Sequence, residues 1–216
     1  MKHNMKEYYS RRAPDYEKIY YRDDEVRRKE IDGVAESLKE LVTEKDVLDI
    51  PAGTGYWMEI MSQKASSIVA SDLSIEMLNE TKKKRFNCQT DYVLANINQL
   101  PFAKNCFDII AVGFWVSHHP LQDLPELFSN LKKLLRPNGK IWFIDNNPPP
   151  AEFHIEKLIG KDEQGNVYKK RFLDDGQEYT IIKNYFTEKE VKNLFSISFK
   201  IESLTYGKYY WSVVAG

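Results

Sequence analysis

Residues 46–72 read DVLDIPAGTGYWMEIMSQKASSIVASD, and they restrict the fold more than any other stretch of the chain. An apolar run at 47–50 predicts a short strand. It ends in a turn that carries Gly53 and Gly55; a helical pattern follows, and a second apolar run at 68–70 stops at Asp72. Strand, glycine turn, helix, strand and acid in that order form the unit that holds a nucleoside at the carboxyl ends of parallel strands. Glycine lets the backbone approach a ligand where a Cβ would collide. A carboxylate at the tip of the second strand accepts two hydrogen bonds from a ribose diol. A dinucleotide-binding turn would add a third glycine, three residues beyond Gly55, but Met58 stands there instead.

The rest of the chain continues the alternation. Residues 24–44 predict an amphipathic helix with Val26, Ile31, Val34, Leu38, Leu41 and Val42 as its apolar stripe. Residues 74–86 predict another, capped by Ser74, with Ile75 and Leu78 inward. Residues 91–95 are a short strand, and 107–113 are near-continuously apolar, as a central parallel strand should be. A leucine-rich helix at 121–135 and a strand at 140–145 follow. Strands at 167–172 and 178–182 flank an Asp175-Gly176 hairpin turn. Thr187 and Glu190 form a capping box for the last helix, and a final antiparallel pair closes the sheet edge.

Composition narrows the function. The chain has 216 residues, 42% of them hydrophobic, enough for one α/β domain with a full core. Its 31 basic and 32 acidic residues speak against an extended nucleic-acid footprint. The basic run at 82–85 lies at a helix end, where it complements the helix dipole. Cys88 and Cys106 lack metal-type spacing, so no metal site is expected, and a reducing cytoplasm fits. The N-terminal residues lack the apolar core of a signal peptide, and the longest apolar run, 109–116, is too short to cross a membrane.

The residues around the glycine turn resemble those of the class I methyltransferases that use S-adenosylmethionine (SAM). The first motif of that family, an acid followed shortly by G-x-G, is matched by Asp49, Gly53 and Gly55, and its second acid by Asp72 in ASDLS. ANINQLPF, FDIIAVGFWVSHHP and LKKLLRPNGKIWFID follow in family order, so the resemblance is close over residues 40–145. It implies a Rossmann-like, seven-stranded, mostly parallel sheet between helices with the last strand antiparallel, in a single domain over 1–216. It implies SAM as cofactor and S-adenosylhomocysteine (SAH) as product. Leu73 then packs on the adenine face, and Asn96, with Ile97 after it, stands where the family usually has an acid beside the adenine amino group. Pro51 departs from the pattern, because a small residue is common there.

Two regions bear on the acceptor. Residues 6–22 carry five tyrosines, of which Tyr9, Tyr16 and Tyr20 fall near one helical face. That pattern suits an arm packed on the domain. The resemblance of YYSRRAPDYE to the opening of small-molecule methyltransferases implies instead a lid over 1–22, with Tyr9, Arg12 and Tyr16 near the methionine carboxylate or the substrate. The loop FWVSHHP lies at the carboxyl end of the fourth strand, where His118 serves either as a general base or as a hydrogen-bonded brace for the loop. The resemblance favours the base. His119 is the lesser candidate. Residues 146–185, entered through DNNPPP, are expected to be a substrate-side insertion. The expected function is methyl transfer to a nitrogen, oxygen or sulfur of a small molecule by a monomer or homodimer. An RNA or protein methyltransferase, or a SAM-binding subunit without turnover, is the alternative.

Overall fold

The computed structural model describes residues 5–20, 24–148 and 158–216. The chain opens with helix α1 (Met5–Arg12) and a 3₁₀ segment (Ala13–Ile19) whose Pro14 suits a first-turn position. Helix α2 (Glu25–Leu41) is capped by Asp24, whose carboxylate accepts from the Arg27 amide. Then β1 (Asp46–Asp49), α3 (Tyr56–Met61), β2 (Ser67–Asp72), α4 (Ile75–Thr81), β3 (Gln89–Leu94), β4 (Phe107–Gly113), α5 (Leu124–Lys132) and β5 (Leu135–Asn146) alternate. After β6 (Leu158–Lys161), β7 (Val167–Phe172) and β8 (Glu178–Ile182), the chain ends with α6 (Glu188–Ser196), β9 (Ile201–Tyr206) and β10 (Tyr210–Ala215).

Seven strands form one sheet in the order β3-β2-β1-β4-β5-β10-β9. The first five are parallel, and β10 enters antiparallel between β5 and β9. Side chains alternate across each strand, so the sheet feeds two cores. On one face Leu48, Ile110, Ile141, Phe143 and Val213 pack against Leu127 and Phe128 of α5 and Phe195 of α6. The Phe128 and Phe195 rings stack with centroids 5.0 Å apart. Truncating either to Ala would cost about 3–5 kcal/mol. On the other face Val47, Ile68, Ile109, Trp142 and Ile144 pack against Leu38 of α2 and Met58 and Met61 of α3.

Strand order turns outward in both directions from β1 and β4. The crevice beyond their carboxyl ends is therefore the place where such a sheet binds ligands. A separate three-stranded antiparallel sheet, β6-β7-β8, stands beside that crevice. It is tied to the loop after β4 by the Asn184 amide, which donates to the Ser117 carbonyl at 2.7 Å, and by the Asn184 side chain, which donates to the His119 carbonyl.

Some sequence expectations need correction. Val26 and Ile75, expected inward, are 53% and 42% exposed. Each lies in the first turn of its helix. The expected helix over 121–135 begins as a 3₁₀ turn (Leu121–Asp123), and its end is taken over by β5, which starts at Leu135. Residues 1–4, 21 and 22 of the expected lid and 149–157 of the expected insertion lie outside the described residues.

Candidate active site

The glycine turn is held by the acid it was expected to serve. The Gly53 amide donates to Asp72 Oδ2 and the Ser74 amide to Asp72 Oδ1, both at 2.9 Å. Each carboxylate oxygen keeps lone pairs for a further donor. Burial raises the Asp72 carboxyl above its ordinary range, against the pull of the Ser74 and Gly53 amides. Asp49, at the end of β1, is raised well above that range by burial and by the Asp72 charge, and its Oδ2 is buried without a partner among the described residues. Among the described residues, no cation enters the balance of either buried carboxyl. Pro51 is tolerated because the turn takes its bonds from the neighbours: the Ile50 amide donates to Ala111 and the Ala52 amide to Ser71.

The two glycines differ. Gly53 has φ +57°, and a Cβ there would meet nothing within 4 Å, so it faces open space. Gly55 has φ +84°, and its Cβ would lie 2.8 Å from Thr81 Cγ2. The collision expected with a ligand is therefore a collision with α4. Gly55 lets α3 and α4 approach closely, and Thr81 uses that proximity to donate to the Gly53 carbonyl.

The N-terminal segment closes the other side. Tyr9, Tyr16 and Tyr20 run edge to face, with centroids 5.8 and 6.3 Å apart, and Tyr20 stacks on Tyr56 at 3.8 Å. Hydrogen bonds strap the segment to the turn region. The Ser10 and Ser74 hydroxyls are 2.8 Å apart, and Thr54 donates to Glu17 at 2.9 Å, which Lys84 also contacts. Arg12 does not line the pocket; it donates to the Tyr8 hydroxyl and sits over the Tyr8 and Tyr16 rings.

His118 is buried at 6% exposure. Its Nδ1 lies 2.6 Å from the Ile182 carbonyl, so that nitrogen carries the proton, and Nε2 accepts from the Tyr9 hydroxyl at 2.9 Å. Burial lowers the His118 pKa, with the Lys183 charge adding to it, and the ring is neutral at ordinary pH. Burial raises the Tyr9 phenol, which stays protonated and able to donate. His119 points elsewhere; its Nε2 is buried without a partner among the described residues.

Beneath the loop lies a network that the sequence did not reveal. Asp145, at the end of β5, accepts from the amide and hydroxyl of Ser117, and Lys183 donates to Asp145 at 3.0 Å and to the Ser117 hydroxyl at 2.6 Å. Burial works against the Asp145 charge, but Lys183 and the Ser117 and Asn146 amides outweigh it, and the carboxylate is held below its ordinary range. The signal was there in one respect: a lysine follows the apolar alternation YTII, an odd place for a charge to be buried.

Asp72, Gly53, Leu73, Tyr9, Tyr16 and His118 line one cavity, together with Trp57, Phe114 and Trp115. Asp49, Gly55, Asn96, Ile97 and Arg12 do not line it. Asn96 is exposed and its Oδ1 accepts from the Asn98 amide, while Ile97 is buried in the core. As closed by α1, the cavity measures about 100 Å³, below the ~300–1,000 Å³ of ordinary small-molecule sites. A ligand of nucleoside size is larger than this space.

A family model described as a methyltransferase domain matches residues 47–139, the stretch that holds the glycine turn, Asp72 and His118. Over that stretch the chain matches the methyltransferase domain, and it resembles the class I, SAM-dependent methyltransferases. Similar proteins include a ubiquinone/menaquinone biosynthesis C-methyltransferase, UbiE, of Desulfotalea psychrophila, 30% identical over 105 residues, which are 48% of this chain and 42% of that protein. A demethylmenaquinone methyltransferase of Oceanobacillus iheyensis is 28% identical over 160 residues, 68% of this chain and 66% of the relative. In both cases the chain spans less than two thirds of the relative's length. A solved DhpI-SAM-HEP complex shares the fold, with a TM-score of 0.78 at 19% identity over 97% of this chain and 94% of that one.

The residues of the methyltransferase domain fit SAM. The buried Asp72 carboxyl on the cavity wall suits a ligand with hydroxyl donors and positive charge. The open space at Gly53 suits close backbone approach. Among the described residues no group of metal-type side chains gathers, and no helix is long and apolar enough to cross a membrane.

Proposed function

We propose that this chain transfers the methyl group of SAM to a nitrogen, oxygen or sulfur atom of a small molecule, with His118 as the base and residues 5–20 as a lid. The observation that carries the reading is the shared cavity: Asp72 and Gly53 form one wall, and the Tyr9–His118 pair forms another. SAM supplies an already activated methyl group, so positioning and exclusion of water account for most of the rate. Asp72 would hold the ribose hydroxyls at its remaining lone pairs, Leu73 would cover the adenine, and Asp49 would balance positive charge. The tyrosine run keeps water away.

Among the described residues, His118 Nε2 is the one imidazole acceptor on the cavity, and the Tyr9 hydroxyl stands on it. A proton leaving the acceptor would pass to the Tyr9 oxygen as the Tyr9 proton moves to Nε2, or directly to Nε2 once Tyr9 turns aside. The Ile182 carbonyl keeps the ring in the tautomer that can receive it.

A second reading, transfer to carbon, is favoured by the UbiE relatives, which are C-methyltransferases. Incubation with ¹³C-methyl SAM and a metabolite panel, with RNA and protein fractions as competitors, separates the readings. SAH release with a small molecule is expected, and the ¹³C shift of the product tells carbon from heteroatom. SAM binding without turnover on any acceptor would leave a cofactor-binding subunit.

A further inference from the structure

One face of the three-stranded sheet packs on Tyr8 of α1, and the sheet meets His118 at the Ile182 carbonyl. Alternation across strands puts Arg171 of β7 on the same face as Tyr179 and Ile181 of β8 and Lys183 just beyond, with Arg171 directly opposite Tyr179. Tyr179 and Ile181 are buried against Tyr8, with Tyr9 packed on the same cluster, which brings this face against the Tyr9–His118 pair. Charge does not balance there. Lys183 uses two of its three N–H groups on Ser117 and Asp145. Arg171 makes no side-chain hydrogen bond or ion pair among the described residues, and its Nε is buried without a partner. Its charge acts on Tyr9, His118, Lys183 and Tyr185.

Among the described residues, the nearby carboxylates are committed elsewhere. Asp145 is shared by Lys183 and Ser117, Glu7 accepts from the Tyr179 hydroxyl, and Asp175 pairs with Arg11. A partly buried guanidinium left without a partner is costly, and its planar fork matches two oxygens of a carboxylate or phosphate.

We propose that Arg171 and the remaining N–H of Lys183 form an oxyanion subsite beside His118 that holds the carboxylate or phosphate of a small-molecule acceptor. Naming the occupant as acceptor rests on the methyl-transfer reading; the subsite itself does not. An oxyanion here offsets the charges that surround His118 and anchors the acceptor from the side opposite the glycine turn.

The test is calorimetric titration of the full chain, loaded with SAH, with benzoate, inorganic phosphate and uncharged benzamide. Saturable binding of at least one oxyanion, at least tenfold tighter than benzamide, is expected, and the preferred one identifies the acceptor's group. Arg171→Gln should weaken it about 10- to 100-fold, with Arg171→Lys in between and SAH affinity unchanged. No preference for oxyanions over benzamide overturns the proposal, and so does wild-type oxyanion affinity in Arg171→Gln. The wild-type comparison decides even if that variant folds poorly. If SAH fails to bind, the methyl-transfer reading falls alone, and titration of the ligand-free chain still decides the subsite.

Discussion

Replacing Asp72 with Asn keeps the shape of the side chain and removes half of its acceptors. In the native turn each Asp72 oxygen already accepts one backbone N–H at 2.9 Å, from Gly53 and from Ser74. The amide group of Asn can accept at one end only. Its NH₂ must face either the Gly53 or the Ser74 donor, and that N–H loses its partner in a buried position. An unsatisfied buried donor costs about 1–3 kcal/mol, or about 2–4 °C of melting temperature per kcal/mol in a chain of this size. Loss of the burial penalty on the Asp72 charge offsets part of this, so a fall near the lower end is expected. The ligand loses more: a charge-assisted bond to one ribose hydroxyl is worth about 1.5–3 kcal/mol, roughly a tenfold to hundredfold loss of affinity. Calorimetry with SAH on both proteins, alongside thermal unfolding, measures the two effects separately. A folded Asp72→Asn protein that binds SAH within threefold of wild type would refute the assignment of Asp72 to the ribose.

Four further outcomes are expected. His118→Ala should lower single-turnover methyl transfer by about 100- to 10,000-fold at nearly constant SAM affinity, and His119→Ala by much less; a full-rate His118→Ala enzyme would make the ring only a brace. Amide hydrogen exchange over residues 5–20 should slow when SAH is added, whereas equal protection would mean a permanently packed arm. Gly55→Ala should lower the melting temperature through its contact with Thr81, while Gly53→Val should mainly abolish SAH binding; the reverse pattern would exchange the roles of the two glycines. Asp49, raised by burial and by Asp72, makes the ligand-free chain lose stability as pH rises from the unfolded carboxyl value through the folded one; Asp49→Asn should therefore be the more stable protein at neutral pH and gain less from SAM, as thermal unfolding at several pH values would reveal.

The organising unit was legible because its cues are local. Two apolar runs, two glycines and an acid within 27 residues specify β1, the turn, α3 and β2, and Asp175-Gly176 and Thr187–Glu190 specify a hairpin and a cap by turn and cap chemistry alone. Periodicity gives a face but not what covers it, which is why Ile75 and Val26 were assigned to the core. Gly55 shows the same limit, since the need for glycine was readable and the neighbour demanding it, Thr81, was not. The Lys183–Asp145 pair joins positions 38 apart in the chain across two sheets, and no local pattern encodes such a meeting. His118 could be picked from its loop, but its tautomer depends on a carbonyl 64 residues away.

The aromatic run along the cavity gives the molecule an optical gauge of its own state. Trp57 lies 5.0 Å from Tyr56 and 4.9 Å from Trp142, and Tyr56 in turn carries the stacked Tyr20 of the N-terminal segment. Tyrosine emission in such a chain is drained into the indoles as long as the rings stay in contact. If residues 5–20 lift as the proposed lid, Tyr9, Tyr16 and Tyr20 leave that sink, and the ratio of tyrosine to tryptophan light would report it without any attached dye.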